Sequence, residues 1–304
     1  MNKEIGIIGL GKMGMGIAQQ LNEKGWRVIV ANRSKEKVEH AATEGMIPAF
    51  SYQELISNFE QSPRIIWLML PAGTATEEAL FGMHGVVQYL KEGDIVIDAA
   101  NSFYKDDVPR AEKLAEKGMH YIDVGVSGGP TGARNGACLM VGGTKEQFAQ
   151  LEQLYKDVSV AQGYAHFEGV GAGHFVKMVH NGIEYGMMQA IGEGFNVMKQ
   201  SDFNLDMGEV ARVYNQKSVI ESRLIGWLAK AYKEFGTDLD AISGSISHSG
   251  EGKWTVETAE EMNEPVPVIK ESYEFRVQSK ENPSYVGKVV SALRGQFGGH
   301  PVKK

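Results

Sequence analysis

The chain of 304 residues contains a single cysteine, Cys138. An intramolecular disulfide is therefore excluded, and no Cys/His cluster has the spacing of a zinc site. Basic residues are not in excess: 31 Lys and Arg against 38 Asp and Glu leave a formal net charge of −7. Such a balance offers no general attraction for a nucleic-acid backbone. Long apolar runs are missing too. The longest, residues 65–70, falls far short of the roughly 20 residues that span a bilayer, and the N-terminus has no signal-peptide core or cleavage site. These absences describe a soluble protein of a reducing cytoplasm, with no nucleic-acid or membrane partner and no metal. Glycine, by contrast, is plentiful at 37 residues, without collagen period or low complexity, and points to tight turns and loops that approach a ligand.

Short apolar runs at 4–8, 28–31, 65–70, 95–98 and 120–123 read as buried strands separated by helical patterns, of which 107–116 and 145–155 are the clearest. This alternation predicts a doubly wound, mostly parallel α/β domain of Rossmann type. After Gly171-Ala172-Gly173 the periodicity becomes helical, in blocks near 174–200, 207–235 and 265–279. Pro265, Pro267 and Pro283 stand at expected helix starts. Residues 295–304 have little helix potential. The expected organisation is a dinucleotide-binding domain over 1–172, an all-helical substrate and oligomerisation domain over 173–292, and a tail over 293–304.

Gly9-Leu10-Gly11-Lys12-Met13-Gly14 directly follows the first strand and opens a helical pattern. In that context G-x-G-x-x-G is the dinucleotide-binding fingerprint: a tight turn, close backbone approach to the pyrophosphate, and tight strand–helix packing. The alternative is a purely structural turn. The second strand ends in Asn32-Arg33-Ser34, without the carboxylate that would bond a ribose 2′-hydroxyl. An arginine there suits a 2′-phosphate and hence NADP, with NAD still open, unless Arg33 is simply solvated.

In the first long helix Lys177, His180, Asn181, Glu184 and Tyr185 fall at i, i+3, i+4, i+7 and i+8, on one face. This is either a solvated face or a site. Flanking apolar positions, and Gly171 and Gly173 ahead of the helix, favour a site where the helix packs against another domain. Partial desolvation of Lys177 would lower its pKa toward the working pH, fitting it to take and return a proton. His174, six residues before His180, lies on a different face, so the two do not read as a metal pair. A second loop, Val124-Gly125-Val126-Ser127-Gly128-Gly129-Pro130-Thr131-Gly132, follows the strand ending at Asp123, at the carboxyl edge of the sheet, and could hold a carboxylate with its amides or serve only as a turn. Asn101 ends another strand at the same edge, so Asn101 and Ser127 are expected to converge.

Together these segments resemble the decarboxylating 6-phosphogluconate dehydrogenases, most specifically in Gly171-Ala172-Gly173-His174-Phe175-Val176-Lys177-Met178-Val179-His180-Asn181-Gly182-Ile183-Glu184-Tyr185. The resemblance continues in Lys253-Trp254-Thr255 and from Arg294 to His300. It implies that Lys177 is the general base and then acid, that Glu184 protonates the enediol, and that Asn101, Ser127, Gly128, Gly129, His180 and Asn181 hold the sugar acid. It further implies a phosphate site at Tyr185, Lys253, Thr255 and Arg276. Arg294 and His300 would reach a neighbouring subunit's site in a homodimer or homotetramer, although Arg294 alone reads as a surface residue. Leu70, Pro71, Ala72 and Asn101 complete the implied cofactor set.

The chain departs from long members of that family. It has no room for their duplicated helical segment and so resembles a short-chain branch. Pro71 stands where they often carry a lysine, and Asp98-Ala99-Ala100-Asn101 replaces a more glycine-rich loop. The rival expectations are a non-decarboxylating β-hydroxyacid dehydrogenase acting on a substrate such as 3-hydroxyisobutyrate, and a noncatalytic NADP(H)-binding sensor. Glu184 and the phosphate set argue against the first, and the paired Lys177 and Glu184 against the second.

Overall fold

A computed structural model of the chain describes residues 3–248, 250–299 and 302. The chain divides into two compact units, Met1–Met178 and Val179–Lys304. The first is built on eight strands: β1 (Glu4–Ile8), β2 (Arg27–Ala31), β3 (Ile47–Ala49), β4 (Ile65–Leu68), β5 (Ile95–Asp98), β6 (His120–Ser127), β7 (Ala137–Val141) and β8 (Ser159–His166). Their order is β3-β2-β1-β4-β5-β6-β7-β8. Strands β1 to β6 are parallel, β7 runs antiparallel to β6, and β8 runs parallel to β7. The order reverses between β1 and β4, which opens the crevice at the carboxyl ends of the strands where such sheets take ligands.

Seven helices connect these strands: α1 (Lys12–Glu23), α2 (Lys35–Thr43), α3 (Tyr52–Ser57), α4 (Thr74–Phe81), α5 (Tyr104–Ala115), α6 (Gly129–Asn135) and α7 (Lys145–Val158). Alternation along the strands sorts the core into two layers. Ile5, Ile7, Val28, Val30, Trp67 and Ile97 pack with Ile17 and Leu21 of α1 and Leu151 and Leu154 of α7. Ile8, Ile29, Ile66, Leu68 and Val96 pack with Leu55, Leu80 and Leu114 on the other face.

The sheet is wider than the sequence pattern predicts. Strand β4 stops at Leu68, after which Met69 N makes the last bond to Ile8 O, the chain bends at Leu70 and it turns at Ala72–Gly73. Strand β6 instead runs on to Ser127, because Val124–Ser127 pair with β7. The glycine-rich stretch read as a loop thus begins as strand. Strand β3 has only three residues, one of them Pro48, and β8 is largely exposed, so neither has an apolar run to betray it.

Helix α8 (Ala172–Lys199) starts in the first unit and continues into the second. The second unit adds α9 (Met207–Tyr214), α10 (Arg223–Phe235), α11 (Glu251–Glu261), α12 (Pro267–Gln278) and α13 (Tyr285–Gly298). Its core joins Met188 and Phe195 to Leu224, Leu228, Tyr232, Val289 and Leu293. The block expected over 207–235 breaks after Tyr214, and Ser222 caps the next helix by accepting from Ile225 N. Helix α13 overrides the expectation of a tail from Gly295. Leu293 and Arg294 are buried, Val302 packs over Gly295, and Ser243 N bonds Val302 O, so tertiary contacts hold the helix to Gly298 despite its glycines. Among the described residues no helix is long and apolar enough to cross a membrane.

Candidate active site

The glycine loop between β1 and α1 has the geometry of a nucleotide cradle. Gly9 has φ +103°, and a Cβ there would lie 2.3 Å from Met69 O, so only glycine fits. A Cβ on Gly14 would sit 1.9 Å from Gly9 O, which is how closely α1 packs on the loop. Gly11 faces open space: a Cβ there would meet nothing within 4 Å. Gly11 also caps α1 without a side-chain hydrogen bond, and the first turn, with Lys12, Met13 and Gly14, holds no acidic residue. The helix start therefore suits an anionic pyrophosphate. Asn32 Oδ1 accepts from Leu10 N at 2.9 Å, fixing the loop to the end of β2. Asn32 Nδ2 donates to Ser34 O, while Arg33 is exposed. Leu70, Pro71 and Ala72 follow β4, ahead of α4.

Strand β6 builds the floor of the substrate side. Tyr121, Asp123, Gly125 and Ser127 alternate onto one face. Asn101, in the left-handed region at φ +52°, stitches its own loop to this strand. Its Oδ1 accepts from Val126 N at 2.8 Å and its Nδ2 donates to Val126 O at 3.2 Å. Asn101 is thereby set beside Ser127, the last residue of β6, with Gly128 and Gly129 leading into α6. A Cβ on Gly125 would fall 2.3 Å from Lys177 Cβ, so the lysine stem lies directly on the strand. Lys177 is buried. Gly171, just ahead of α8, and Gly173, in its first turn, serve the first unit itself: a Cβ on Gly171 would meet Tyr104 O, and one on Gly173 would meet Met140 O and Gly142 N.

In the second unit α8 carries His180, Asn181, Glu184 and Tyr185. His180 Nδ1 lies 2.9 Å from Asn181 Oδ1 and 3.9 Å from Glu184 Oε2. Helix α11 packs tightly here: a Cβ on Gly182 would be 2.7 Å from Thr255 Cγ2, and one on Gly252 would be 2.3 Å from Tyr185 Cε2. The Arg276 guanidinium lies 3.2 Å from the centre of the Tyr185 ring. It is buried, and its Nη2 has no hydrogen-bond partner among the described residues. Burial, together with the charge of Arg294, lowers its pKa to about 10, against the opposing influence of Tyr185 and Glu184. Arg294 Nη1 donates to Ser247 Oγ at 2.8 Å, and burial lowers its pKa as well.

Arg294 is thus neither a surface side chain nor extended from a tail; it belongs to its own chain's cluster of charges around Tyr185 and Glu184. Lys253 is half exposed and pairs with Glu257 at 3.2 Å. His300 lies outside the described residues. Two groups near the cationic cluster carry no motif and were invisible in the sequence. Lys280 and His248 both join it, and burial together with Lys280, Arg276, Arg294 and Lys253 pushes the His248 pKa down. The first unit by itself offers a buried amine beside a polar cradle; the second by itself offers a carboxylate and two confined guanidiniums suited to a dianion.

A family model for the NAD binding domain of 6-phosphogluconate dehydrogenase matches residues 4–166, and one for that enzyme's C-terminal domain matches residues 173–299. The chain belongs to the 6-phosphogluconate dehydrogenase family. It is an oxidoreductase of the family that unites these enzymes with the β-hydroxyacid dehydrogenases, and its first unit is the family's NAD(P)-binding domain. Among relatives, YqeC of Bacillus subtilis, to which 6-phosphogluconate dehydrogenase activity is only provisionally attributed, is 44% identical over 99% of both chains. The NAD(+)-dependent, decarboxylating 6-phosphogluconate dehydrogenase of Haloferax volcanii is 36% identical, again over 99% of both. The solved 6-phosphogluconate dehydrogenase of Plasmodium falciparum superposes with a TM-score of 0.79 at 28% identity, covering 95% of this chain and 70% of that longer one.

Proposed function

We propose that the chain catalyses the oxidative decarboxylation of 6-phosphogluconate to ribulose 5-phosphate and carbon dioxide, with NADP as the preferred acceptor and NAD as a second. The observation that carries this reading is Arg276, buried over Tyr185 with a nitrogen that has no hydrogen-bond partner among the described residues and with Arg294 as a like-charged neighbour. Two confined guanidiniums are costly unless an anion joins them. A phosphorylated substrate supplies that anion, whereas an unphosphorylated hydroxyacid leaves it missing. Tyr185, Lys253, Thr255, Arg276, Arg294 and His300 form the proposed phosphate set.

The loop Gly9–Gly14 would hold the nicotinamide dinucleotide, which would supply the acceptor for the hydride leaving C3. Lys177 takes the proton of the C3 hydroxyl as that bond is oxidised. The resulting β-keto acid loses carbon dioxide from C1 as its carbonyl accepts the electron pair, and Lys177, now an ammonium, returns a proton to the carbonyl oxygen. Glu184 then protonates C1 of the enediol while the enol hydroxyl gives its proton back to the neutral Lys177, leaving the ketone of ribulose 5-phosphate. Asn101, Ser127, Gly128, Gly129, His180 and Asn181 orient the sugar acid. The preference for NADP rests on the end of β2, where Asn32 is committed to Leu10 N and the exposed Arg33 is the residue suited to a 2′-phosphate. We read the protein as a cytoplasmic homodimer or homotetramer.

The test is reduction of NADP and of NAD, followed by absorbance, with 6-phosphogluconate, gluconate and 3-hydroxyisobutyrate, and with carbon dioxide assayed in parallel. Reduction with carbon dioxide release from 6-phosphogluconate alone is the expected result. Reduction without carbon dioxide would move the chain to the simple β-hydroxyacid dehydrogenases, and cofactor binding without turnover would make it a sensor.

A further inference from the structure

Below Lys177, inside the first unit, lies a group of polar side chains that the chemistry above does not use. Asp98 ends β5, Asp107 and Arg110 lie in α5, Tyr121 and Asp123 in β6, and His174 in the first turn of α8. All six are buried. Tyr121 Oη stands 2.9 Å from Asp98 Oδ2 and 2.7 Å from Asp107 Oδ1. Asp107 holds His174 Nδ1 with both oxygens, at 3.0 and 2.9 Å. Arg110 Nη1 donates to Asp98 Oδ2 at 3.0 Å, as does Ser102 Oγ.

Asp98, Asp107 and His174 each offer a ligand atom within 4.8 Å of the others. A cation is not the occupant these contacts describe. Asp98 Oδ2 already meets three donors, one a guanidinium, and Asp107 is taken by Tyr121 and His174. Arg110 answers Asp98 and an imidazolium answers Asp107, while Asp123 is held by the backbone N–H groups of Gly171 and His174. Burying such a set earns little net stability, because well-packed apolar side chains of similar volume do as well or better. Its geometry has another consequence. Asp98 Oδ1 accepts from Ala100 N at 3.0 Å, shaping the turn that presents Asn101. Asp123 accepts from Gly171 N at 2.7 Å and from His174 N at 2.9 Å, fixing the start of α8. Tyr121 and Asp107 link these two anchor points, and His174 lies one helical turn before Lys177.

We propose that Tyr121, Asp107 and His174 are positioning residues that hold Lys177 in register with Asn101, setting the amine against the sugar-acid cradle before substrate arrives. This rests on the reading of Lys177 as the base. Misplacement of a reacting group by about 1 Å costs on the order of a hundredfold in rate, so a network of this kind acts on turnover more than on binding.

The variants are Tyr121→Phe, which removes only the bridging hydroxyl, and His174→Asn and His174→Leu. The asparagine amide can take the place of Nδ1; leucine cannot. The expected result is a kcat lowered about tenfold in Tyr121→Phe with little change in KM or cofactor affinity, and a kcat in His174→Asn well above that of His174→Leu. An unchanged kcat in Tyr121→Phe, or equal losses in the two His174 variants that track their folded fraction, overturns the proposal. Wild-type protein that does not turn over 6-phosphogluconate removes the functional reading instead. The network is then judged by hydrogen exchange of the Gly171 and His174 amides, expected to quicken in Tyr121→Phe while the β1 and β4 amides keep their protection. Unchanged exchange at Gly171 and His174 overturns it.

Discussion

Gly125 and Lys177 meet with no room for a single added carbon: a Cβ on the glycine would lie 2.3 Å from Cβ of the lysine. Both atoms are fixed to backbone, one in β6 and one in α8, so no rotamer change relieves the clash. Gly125→Ala is expected to push the helix start off the strand, at a cost of about 1–3 kcal/mol in stability. Turnover should fall by about a hundredfold, with cofactor affinity kept because the glycine loop lies elsewhere in the sheet. Steady-state kinetics and a nucleotide titration of the same preparation check this.

Lys177→Met and Glu184→Gln separate the two proton-transfer roles proposed for these residues. The first should abolish hydride transfer while leaving cofactor binding nearly intact; the second should chiefly slow the steps after oxidation. Rapid-mixing kinetics distinguish them. A burst of reduced cofactor and carbon dioxide followed by slow formation of ribulose 5-phosphate is expected only in Glu184→Gln, and normal turnover in Lys177→Met would end its assignment as base.

Arg33→Ala should weaken NADP more than NAD, since the end of β2 has no carboxylate to favour a free 2′-hydroxyl. The kcat/KM ratio for the two cofactors is the readout. An unchanged ratio would mean that Arg33 is only solvated.

How much of this was legible depended on whether the signal is local. Strands β1 and β5 show in the sequence to the residue because each is a short apolar run with one carboxylate at its end, Glu4 or Asp98, to mark the boundary. Strands β3 and β8 lack that signature, one interrupted by Pro48 and the other exposed, and the helical end of α13 rests on contacts with residues far away in sequence. The site divides in the same way. Lys177 and Glu184 were visible as helical spacing, and Gly9 to Gly14 as a loop in context. The bonds from Asp107 to His174 and from Asp98 to Tyr121 join residues 67 and 23 positions apart, and no periodicity announces them.

The Asp107–His174 pair gives stability a pH dependence with a definite sign. Burial works against the charged imidazole, but Asp107, with Asp98 and Asp123, raises its pKa from 6.5 to about 9. A group whose folded pKa is raised stabilises fully below its unfolded value, and that contribution is lost as pH climbs through the folded one. Asp107 is itself raised to about 6, burial outweighing His174, so its ionisation also works against the fold as pH rises, though at lower pH. Tm should therefore decline between pH 6.5 and 9, and decline less in His174→Asn, which has no proton to lose. Melting curves of both proteins across that range decide it.

Arg276 offers a test in which two readouts move in opposite directions. Its guanidinium is buried on Tyr185, carries a nitrogen with no partner among the described residues, and has its pKa lowered to about 10 by burial and by Arg294. Without an anion it is a cost to the folded state; with one it makes charge-assisted hydrogen bonds worth about 1.5–3 kcal/mol each. Arg276→Met keeps most of the volume and removes the charge. The KM for 6-phosphogluconate should rise by one to two orders of magnitude on that energy scale, while the Tm of the ligand-free protein stays level or increases. A purely structural arginine would do the reverse, lowering Tm and leaving KM alone. Inorganic phosphate should raise the wild-type Tm and leave that of the variant almost unmoved, because a ligand stabilises only the fold that binds it.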